Sequence, residues 1–186
     1  MHGALIFYLF QDLTSAIFQS FSNDSLRVLG VDLDQHLVDR ARDNFTVEDR
    51  LEFECVDIMG DSFQEDVDRF LRRHKRSKFD LVTVFSVTMW VHLNHGDQGL
   101  EELIRRLCGV ARNLLVEPQP WKCYQNAARR MRKLGREEFQ KMKQLKIRGP
   151  GVDQEIVDMF TKIGCQVLDN FGESVWNRKL VLFKYN

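Results

Sequence analysis

The stretch LRVLGVDLDQHLVDRARDNF, residues Leu26–Phe45, decides the fold because it joins a buried strand directly to an amphipathic helix. Its first part is almost continuously apolar, which is typical of a strand that is covered on both faces. Asp34 then stands where a helix N-cap accepts backbone N–H groups, and Leu37, Ala41 and Phe45 follow at helical spacing. The stretch therefore predicts one strand–helix unit of an α/β sheet.

The same unit repeats on the C-terminal side of this stretch. Further strands are predicted at Leu51–Met59, Phe79–Val87 and Arg112–Pro118, with the helical patterns DSFQEDVDRFLRRH and DQGLEELIRRLCGVA between them. The last segment, CQVLDNFGESVWNRKLVLFKYN, predicts two strands around a loop and an antiparallel end to the sheet. The expected fold class is α/β, a Rossmann-like, doubly wound and mostly parallel sheet in a single domain over residues 1–186.

Composition restricts the kind of protein. The chain has 186 residues, of which 44% are hydrophobic and 29% charged, as in an ordinary globular domain. It contains no apolar run of membrane-spanning length and no recognisable signal peptide, so we expect no membrane association. The four cysteines form no C-x-x-C pair, which is typical of a reducing compartment, and we expect a cytoplasmic protein.

Charge is distributed unevenly, although the chain as a whole is neutral. The segment Trp121–Pro150 contains ten basic and two acidic residues, a net charge of +8, so the remainder is acidic. We call residues 119–150 the basic insert and predict that it is helical, with an apolar stripe from Tyr124 to Leu134 and a C-cap at Gly135. Such a segment indicates a surface for a polyanion, and a solvated helix face is the competing interpretation.

Acidic and apolar side chains follow successive predicted strands at the point where each strand ends. In open α/β sheets ligands bind beside these carboxyl ends. Asp32 suits a ribose diol, Asp57 suits an adenine amino group, and Ile58 and Phe85 could flank the ring or the rest of the ligand. Together these residues favour an adenosine-containing ligand, although each acid alone is as consistent with a turn or a helix cap.

Two other groups of residues lie near the same predicted edge. Pro118 and Pro120 bracket one residue, so we expect EPQPWKCY to form a stiff extended loop presenting Trp121, Lys122 and Tyr124. A metal site at the histidines of HLNH is disfavoured because no carboxylate or cysteine has matching spacing. No metal is expected.

Two blocks resemble a known family. SVTMWVHLNHGDQGL (Ser86–Leu100) and LLVEPQPWKCY (Leu114–Tyr124) are similar to the signature blocks of the bicoid-interacting-type RNA 5′-phosphate methyltransferases. Within that family they are nearest to the members that methylate 5′-monophosphate RNA, histidine tRNA included, rather than to the triphosphate-capping members. The resemblance extends from about Asp12 to Tyr185.

The resemblance implies a class I S-adenosylmethionine-dependent methyltransferase, with S-adenosyl-L-methionine as cofactor. The expected substrate is the 5′-terminal phosphate of a tRNA or small RNA precursor, and a monomer is expected. By the same resemblance, Asp32 binds the cofactor ribose, Asp57 and Ile58 hold the adenine, and Phe85 lies beside the cofactor. The implied catalytic residues are His92, Asn94, Lys122 and Tyr124, which would face the RNA end at the mouth of the site together with Trp90.

The chain departs from the family at its N-terminal end. The family's glycine turn, D-x-G-C-N-x-G, has no counterpart before QDLTSAIFQSF, and ALIFYLF is the segment available for the first-strand slot. We therefore expect an N-terminally truncated member with an incomplete first strand and glycine turn, in which Gln11 and Asp12 crowd the methionine end of the cofactor. The alternative function is a catalytically impaired, RNA-binding isoform. A nicotinamide-dependent oxidoreductase is disfavoured because G-x-G-x-x-G is absent.

Overall fold

A computed structural model describes residues 2–7, 11–20, 25–45, 50–174 and 176–185. Its seven strands are β1 (His2–Phe7), β2 (Leu26–Asp32), β3 (Leu51–Cys55), β4 (Leu81–Phe85), β5 (Asn113–Glu117), β6 (Gln166–Glu173) and β7 (Lys179–Lys184). The helices are α1 (Gln11–Ser20), α2 (Gln35–Asn44), α3 (Phe63–Arg73), α4 (Thr88–Val110), α5 (Trp121–Lys133) and α6 (Val152–Lys162), with a 3-10 helix at Gln140–Lys143.

The strands form one sheet in the order β3-β2-β1-β4-β5-β7-β6. The pairs among β1 to β5 are parallel, whereas β7 is antiparallel to both β5 and β6. The predicted doubly wound sheet with an antiparallel last strand is confirmed. The order of the strands along the sheet reverses between β1 and β4, and ligands bind at such switch points in open α/β sheets.

The described part of the segment proposed for the first-strand slot, residues 4–7, occupies that slot as part of β1. The backbone of β1 pairs with β2 on one side and with β4 on the other, in the middle of the sheet. The expected defect in the glycine turn falls on residues 8–10, between β1 and α1, which lie outside the described residues. The side chains of Gln11 and Asp12, expected to crowd the cofactor, are also outside them.

Apolar side chains on both faces of the sheet build the core. The predicted stripe of α3, Phe63, Val67, Phe70 and Leu71, is buried against the sheet. Phe160 of α6 stacks on Phe183 of β7 with ring centroids 4.7 Å apart. Asp34 caps α2 as predicted, because its carboxylate accepts a hydrogen bond from the backbone N–H of His36 at 2.9 Å.

Helix α4 begins earlier than its sequence pattern suggests. We predicted its start near Asp97, but it begins at Thr88 and is kinked at Gly96, whose φ of 74° and ψ of −171° are not helical. The early start depends on the side-chain oxygen of Gln119, which accepts hydrogen bonds from the Thr88 hydroxyl at 2.6 Å and the Met89 N–H at 3.1 Å. No local sequence pattern predicts this capping, since Gln119 lies about thirty residues further along the chain.

The loop predicted to be extended after β5 is shorter than expected. Pro120 is the N-cap of α5, so Trp121, Lys122 and Tyr124 lie in the first turn of a helix rather than in an extended loop. A proline before the first helical turn is compatible with a helix, since that turn needs no N–H from it. The basic insert is therefore helical up to Lys133, and Gly135, with φ of 62°, follows the helix end as predicted.

Candidate functional site

A cavity of about 650 Å³ opens at the carboxyl ends of β2, β3 and β4. Its volume lies in the range typical of sites for small organic ligands. The loops after β2 and β3 supply one part of the wall, and the first half of α4 supplies the other. The lining residues are Val31, Asp32, Leu33, Asp34, Gln35, Val56, Asp57, Ile58, Met59, Ser86, Val87, Trp90, Val91, Asn94 and His95.

Two carboxylates at neighbouring strand tips face this cavity. Asp32 Oδ1 accepts a hydrogen bond from the Asp34 N–H at 2.8 Å, and Asp57 Oδ1 accepts one from the Met59 N–H at 2.8 Å. Each bond orients its carboxylate and leaves the second oxygen available to a ligand hydroxyl or amino group. Burial raises the pKa of Asp32, and the hydrogen bond from Asp34 opposes that rise. The pair suits a ligand rich in hydroxyl and amino donors.

The loop after β3 is held from outside the cavity by Arg106 of α4. Its Nη1 donates to the carbonyl oxygens of Ile58 at 3.2 Å and Gly60 at 2.6 Å. No sequence pattern marks this residue, because one arginine in an amphipathic helix gives no sign of a partner 46 to 48 positions away. Arg106 fixes the loop that carries Asp57 and Ile58.

The structure brings part of the predicted site together. Asp32, Asp57, Ile58 and Asn94 line one cavity, beside Trp90, which is 37% exposed. Within the described residues, the lining includes neither Phe85, which is half-buried at the end of β4, nor Lys122, which is exposed on α5. The binding and catalytic roles of these residues stay predictions.

The position predicted for His92 and Tyr124 was wrong. Both side chains are fully buried, so neither stands at the mouth of the cavity. His92 Nδ1 lies 3.0 Å from the Tyr124 hydroxyl, and its Nε2 lies 3.2 Å from Asp97 Oδ1. Helical periodicity turns His92 inward once α4 begins at Thr88, and the buried hydroxyl of Tyr124 supplies its partner. Their catalytic role stays a prediction, and this geometry does not support contact with a substrate.

The protonation states of this buried group follow from its geometry. Burial lowers the pKa of His92 and raises the pKa of Tyr124, so both are neutral near pH 7. Burial alone would raise the pKa of Asp97, but N–H groups from Lys146, Ile147 and His92 outweigh it and the pKa is lowered. An ionised Asp97 only accepts, so His92 donates a hydrogen bond to it from Nε2, and His92 Nδ1 accepts a hydrogen bond from the Tyr124 hydroxyl.

A second charged group borders the cavity at the tip of β4. Arg178, between β6 and β7, donates from Nη1 to Glu117 Oε2 at 2.9 Å and to the Ser86 hydroxyl at 2.7 Å. Ser86 lines the cavity with a positive φ of 56°, a conformation that often marks functional sites. Glu117 is the last residue of β5, and nothing in the sequence pointed to Arg178 as its partner.

In the part of the chain that the structure describes, we also searched for metal-binding groups, membrane-spanning helices and disulfides. That part holds no group of three or more histidine, cysteine, aspartate or glutamate residues able to bind a metal ion. Among the described helices none is both long and apolar enough to cross a membrane. The four cysteines are free.

The strand order and the cavity at the strand tips define the fold of a class I S-adenosylmethionine-dependent methyltransferase. The N-methyltransferase NodS from Bradyrhizobium japonicum WM9, solved with S-adenosyl-L-homocysteine, has the same fold, with a TM-score of 0.61 and 13% identity over 99% of this chain and 78% of that one. The family model for bicoid-interacting protein 3 (Bin3) matches residues 79–185. The chain belongs to the Bin3 family.

Two curated relatives agree with this assignment. The RNA 5′-monophosphate methyltransferase of Rattus norvegicus is 40% identical over 93% of this chain and 65% of its own length. The pre-miRNA 5′-monophosphate methyltransferase of Xenopus laevis is 41% identical over 98% of this chain and 71% of its own length. The chain thus spans about two thirds of the length of these relatives.

Proposed function

We propose that the chain transfers a methyl group from S-adenosyl-L-methionine to the 5′-terminal phosphate of RNA. The observation that supports this most directly is the meeting of Asp32 and Asp57 in one cavity of a Bin3-family domain. The names of the rat and frog relatives favour a 5′-monophosphate end over a triphosphate end. They also favour an active enzyme over the alternative of an impaired RNA-binding form.

The residues of the cavity fit the proposed cofactor. Asp32 offers a carboxylate oxygen to the ribose diol, and Asp57 offers one to the adenine amino group. Ile58 and Val56 give an apolar surface for the adenine ring. Two carboxylates also suit a cationic ligand electrostatically. When bound, the cofactor supplies an electrophilic methyl group on a positively charged sulfur.

The chemistry proposed for the substrate makes modest demands on the protein. A terminal phosphate has a second pKa of about 6, so it is mostly a dianion at pH 7 and needs no general base. The bound cofactor would supply the methyl group to a phosphate oxygen and would leave as S-adenosyl-L-homocysteine. The chain has to orient the phosphate and exclude water, and Trp90 and Asn94 at the cavity wall suit those tasks.

The rest of the RNA is proposed to lie along the basic insert. Its exposed cations run from α5 through the 3-10 helix toward α6, and include Arg129, Arg130, Arg132, Lys133, Lys141, Lys143, Lys146 and Arg148. Lys122 in the first turn of α5 would extend this path. Phosphate contacts of this kind make affinity depend steeply on salt. A tRNA or small RNA precursor as substrate, a monomeric state and a cytoplasmic location belong to the same proposal.

A direct test uses methyl transfer to short RNAs that differ only at the 5′ end. Labelled S-adenosylmethionine should methylate 5′-monophosphate RNA, leave 5′-hydroxyl RNA unlabelled, and react more slowly with 5′-triphosphate RNA. Calorimetric titration with S-adenosylhomocysteine reports cofactor binding independently. Cofactor binding without transfer to any RNA would contradict the proposed activity, and equal rates on the two phosphorylated ends would contradict the substrate.

A further inference from the structure

One carboxylate, Asp97, joins three parts of the chain beside the cavity. Its Oδ2 accepts the N–H of Lys146 at 3.0 Å, and its Oδ1 accepts the N–H of Ile147 at 2.9 Å and faces His92 Nε2 at 3.2 Å. Both backbone donors belong to the basic insert, 49 and 50 residues further along the chain. Through His92, the same carboxylate is linked to Tyr124 of α5.

The kink at Gly96 makes this arrangement possible. A φ of 74° with ψ near 180° is readily adopted by glycine and is strained for other residues. The kink separates the two halves of α4 and turns Asp97 back toward His92 of the first half. Asp97 thus lies between the part of α4 that lines the cavity and the basic insert.

Two further contacts show where residues 139–148 of the basic insert lie relative to the cavity. The Phe139 ring packs against Trp90 with centroids 6.0 Å apart, and Lys141 Nζ donates to the His95 carbonyl at 3.4 Å. Trp90 and His95 both line the cavity. Residues 139–148 therefore run along its rim, with Lys143, Lys146 and Arg148 exposed.

A carboxylate in this place opposes the binding of a polyanion, since it adds negative charge among cations. Three hydrogen-bond donors point at the Asp97 carboxylate and offset its charge. The same hydrogen bonds hold residues 139–148 in place. We propose that Asp97 is a positioning residue, which holds residues 139–148 at the cavity rim so that their cations align the RNA backbone with its 5′ end at the methyl donor. His92 and Tyr124 support Asp97 from inside. This inference rests on the proposed function and assigns a role in RNA alignment.

The decisive measurement is the salt dependence of RNA binding. For single-stranded RNA, the slope of log affinity against log salt falls by about 0.7 for each phosphate contact that is lost. Asp97→Ala releases a segment with four cations, Lys141, Lys143, Lys146 and Arg148, so the slope should fall by about 2–3. Affinity for S-adenosylhomocysteine should stay within about twofold of the unchanged protein, because Asp97 does not line the cavity.

Two further variants, limited proteolysis and a short substrate complete the test. Tyr124→Phe removes one hydroxyl without a change of shape and should reduce the slope less than Asp97→Ala, whereas Glu101→Gln, on an exposed face of α4, should leave it unchanged. Trypsin should cleave after Lys143 and Lys146 faster in Asp97→Ala than in the unchanged protein. With a 5′-phosphorylated dinucleotide, which has fewer backbone phosphates to contact the segment than a long RNA has, kcat/KM should change less than with the long RNA.

Two results would overturn the inference. One is an Asp97→Ala protein that thermal melting shows to be folded, and whose salt slope and tryptic cleavage are both unchanged. The other is an equal loss of cofactor binding, dinucleotide methylation and RNA binding, which indicates general structural damage. If the unchanged protein methylates no RNA, the proposed function fails by itself, and the tryptic comparison still decides whether Asp97 holds the segment.

Discussion

Replacing Asp32 by asparagine is the sharpest test of the cofactor site. The substitution keeps the shape of the side chain and an oxygen that can accept the Asp34 N–H at 2.8 Å. It removes the negative charge and replaces the second acceptor by an NH₂ group, which cannot accept from a ribose hydroxyl. A hydrogen bond to a charged group contributes about 1.5–3 kcal/mol. Loss of one such bond weakens binding by about 1.5–3 kcal/mol, or roughly 10- to 150-fold.

Isothermal titration with S-adenosylhomocysteine measures this directly. Asp158→Asn is the matched control, because Asp158 is exposed on α6, does not line the cavity and accepts a hydrogen bond from the side chain of Gln154 at 3.0 Å. It should bind as the unchanged protein does. Thermal melting of both variants checks that the fold is intact. An Asp32→Asn protein that is folded and binds with unchanged affinity would refute the assignment of Asp32 to the ribose.

Three other predictions concern stability. Gly30→Ala should lower the free energy of unfolding in urea by about 1–3 kcal/mol, because the new Cβ would lie 2.7 Å from Cδ1 of Phe53; adding Phe53→Leu should recover part of the loss, and an unchanged urea midpoint for the single variant would count against the packing argument. Arg178→Met should cost about 3 kcal/mol, the lower end for a broken buried pair, because the 8%-exposed carboxylate of Glu117 loses its charged partner, which now lies 2.9 Å away. Glu117→Gln in that background should restore stability, and additive losses in the double-mutant cycle would show that the two side chains are uncoupled. Because burial lowers the pKa of His92 from its ordinary value of 6.5, the unfolded chain takes up the proton first as pH falls. The stabilisation by neutral His92 is thus complete above about pH 6.5 and declines below it, so a His92→Gln protein should show a flatter loss of stability between about pH 7 and 5, whereas parallel curves would contradict it.

Much of the architecture could be predicted because it depends on short-range patterns. Apolar runs bounded by turns marked the strands, and the spacing of Phe63, Val67 and Phe70 marked α3. The cavity acids Asp32 and Asp57 could be found for the same reason, since the carboxyl ends of parallel strands share one edge of the sheet. The start of α4 could not, because its capping group is the distant side chain of Gln119.

The buried hydrogen bonds among His92, Asp97 and Tyr124 could not be predicted from the sequence either. The family resemblance implied that His92 and Tyr124 face the RNA end, and it assigned no role to Asp97. Only the packed structure shows that they bind one another, over separations of 5 and 32 residues. The amino-acid sequence does not distinguish a polar side chain that is buried and hydrogen-bonded from one that faces a substrate.

The sequence by itself determined the order of strands and helices, the acids at the strand tips and the family, because periodicity, caps and signature blocks are local properties of the chain. Tertiary structure alone decided which way His92 and Tyr124 face, that Asp97 joins α4 to the basic insert, and that Arg106 and Arg178 support the cavity. Hydrogen bonds between residues tens of positions apart form only where the packed core brings donor and acceptor within about 3 Å.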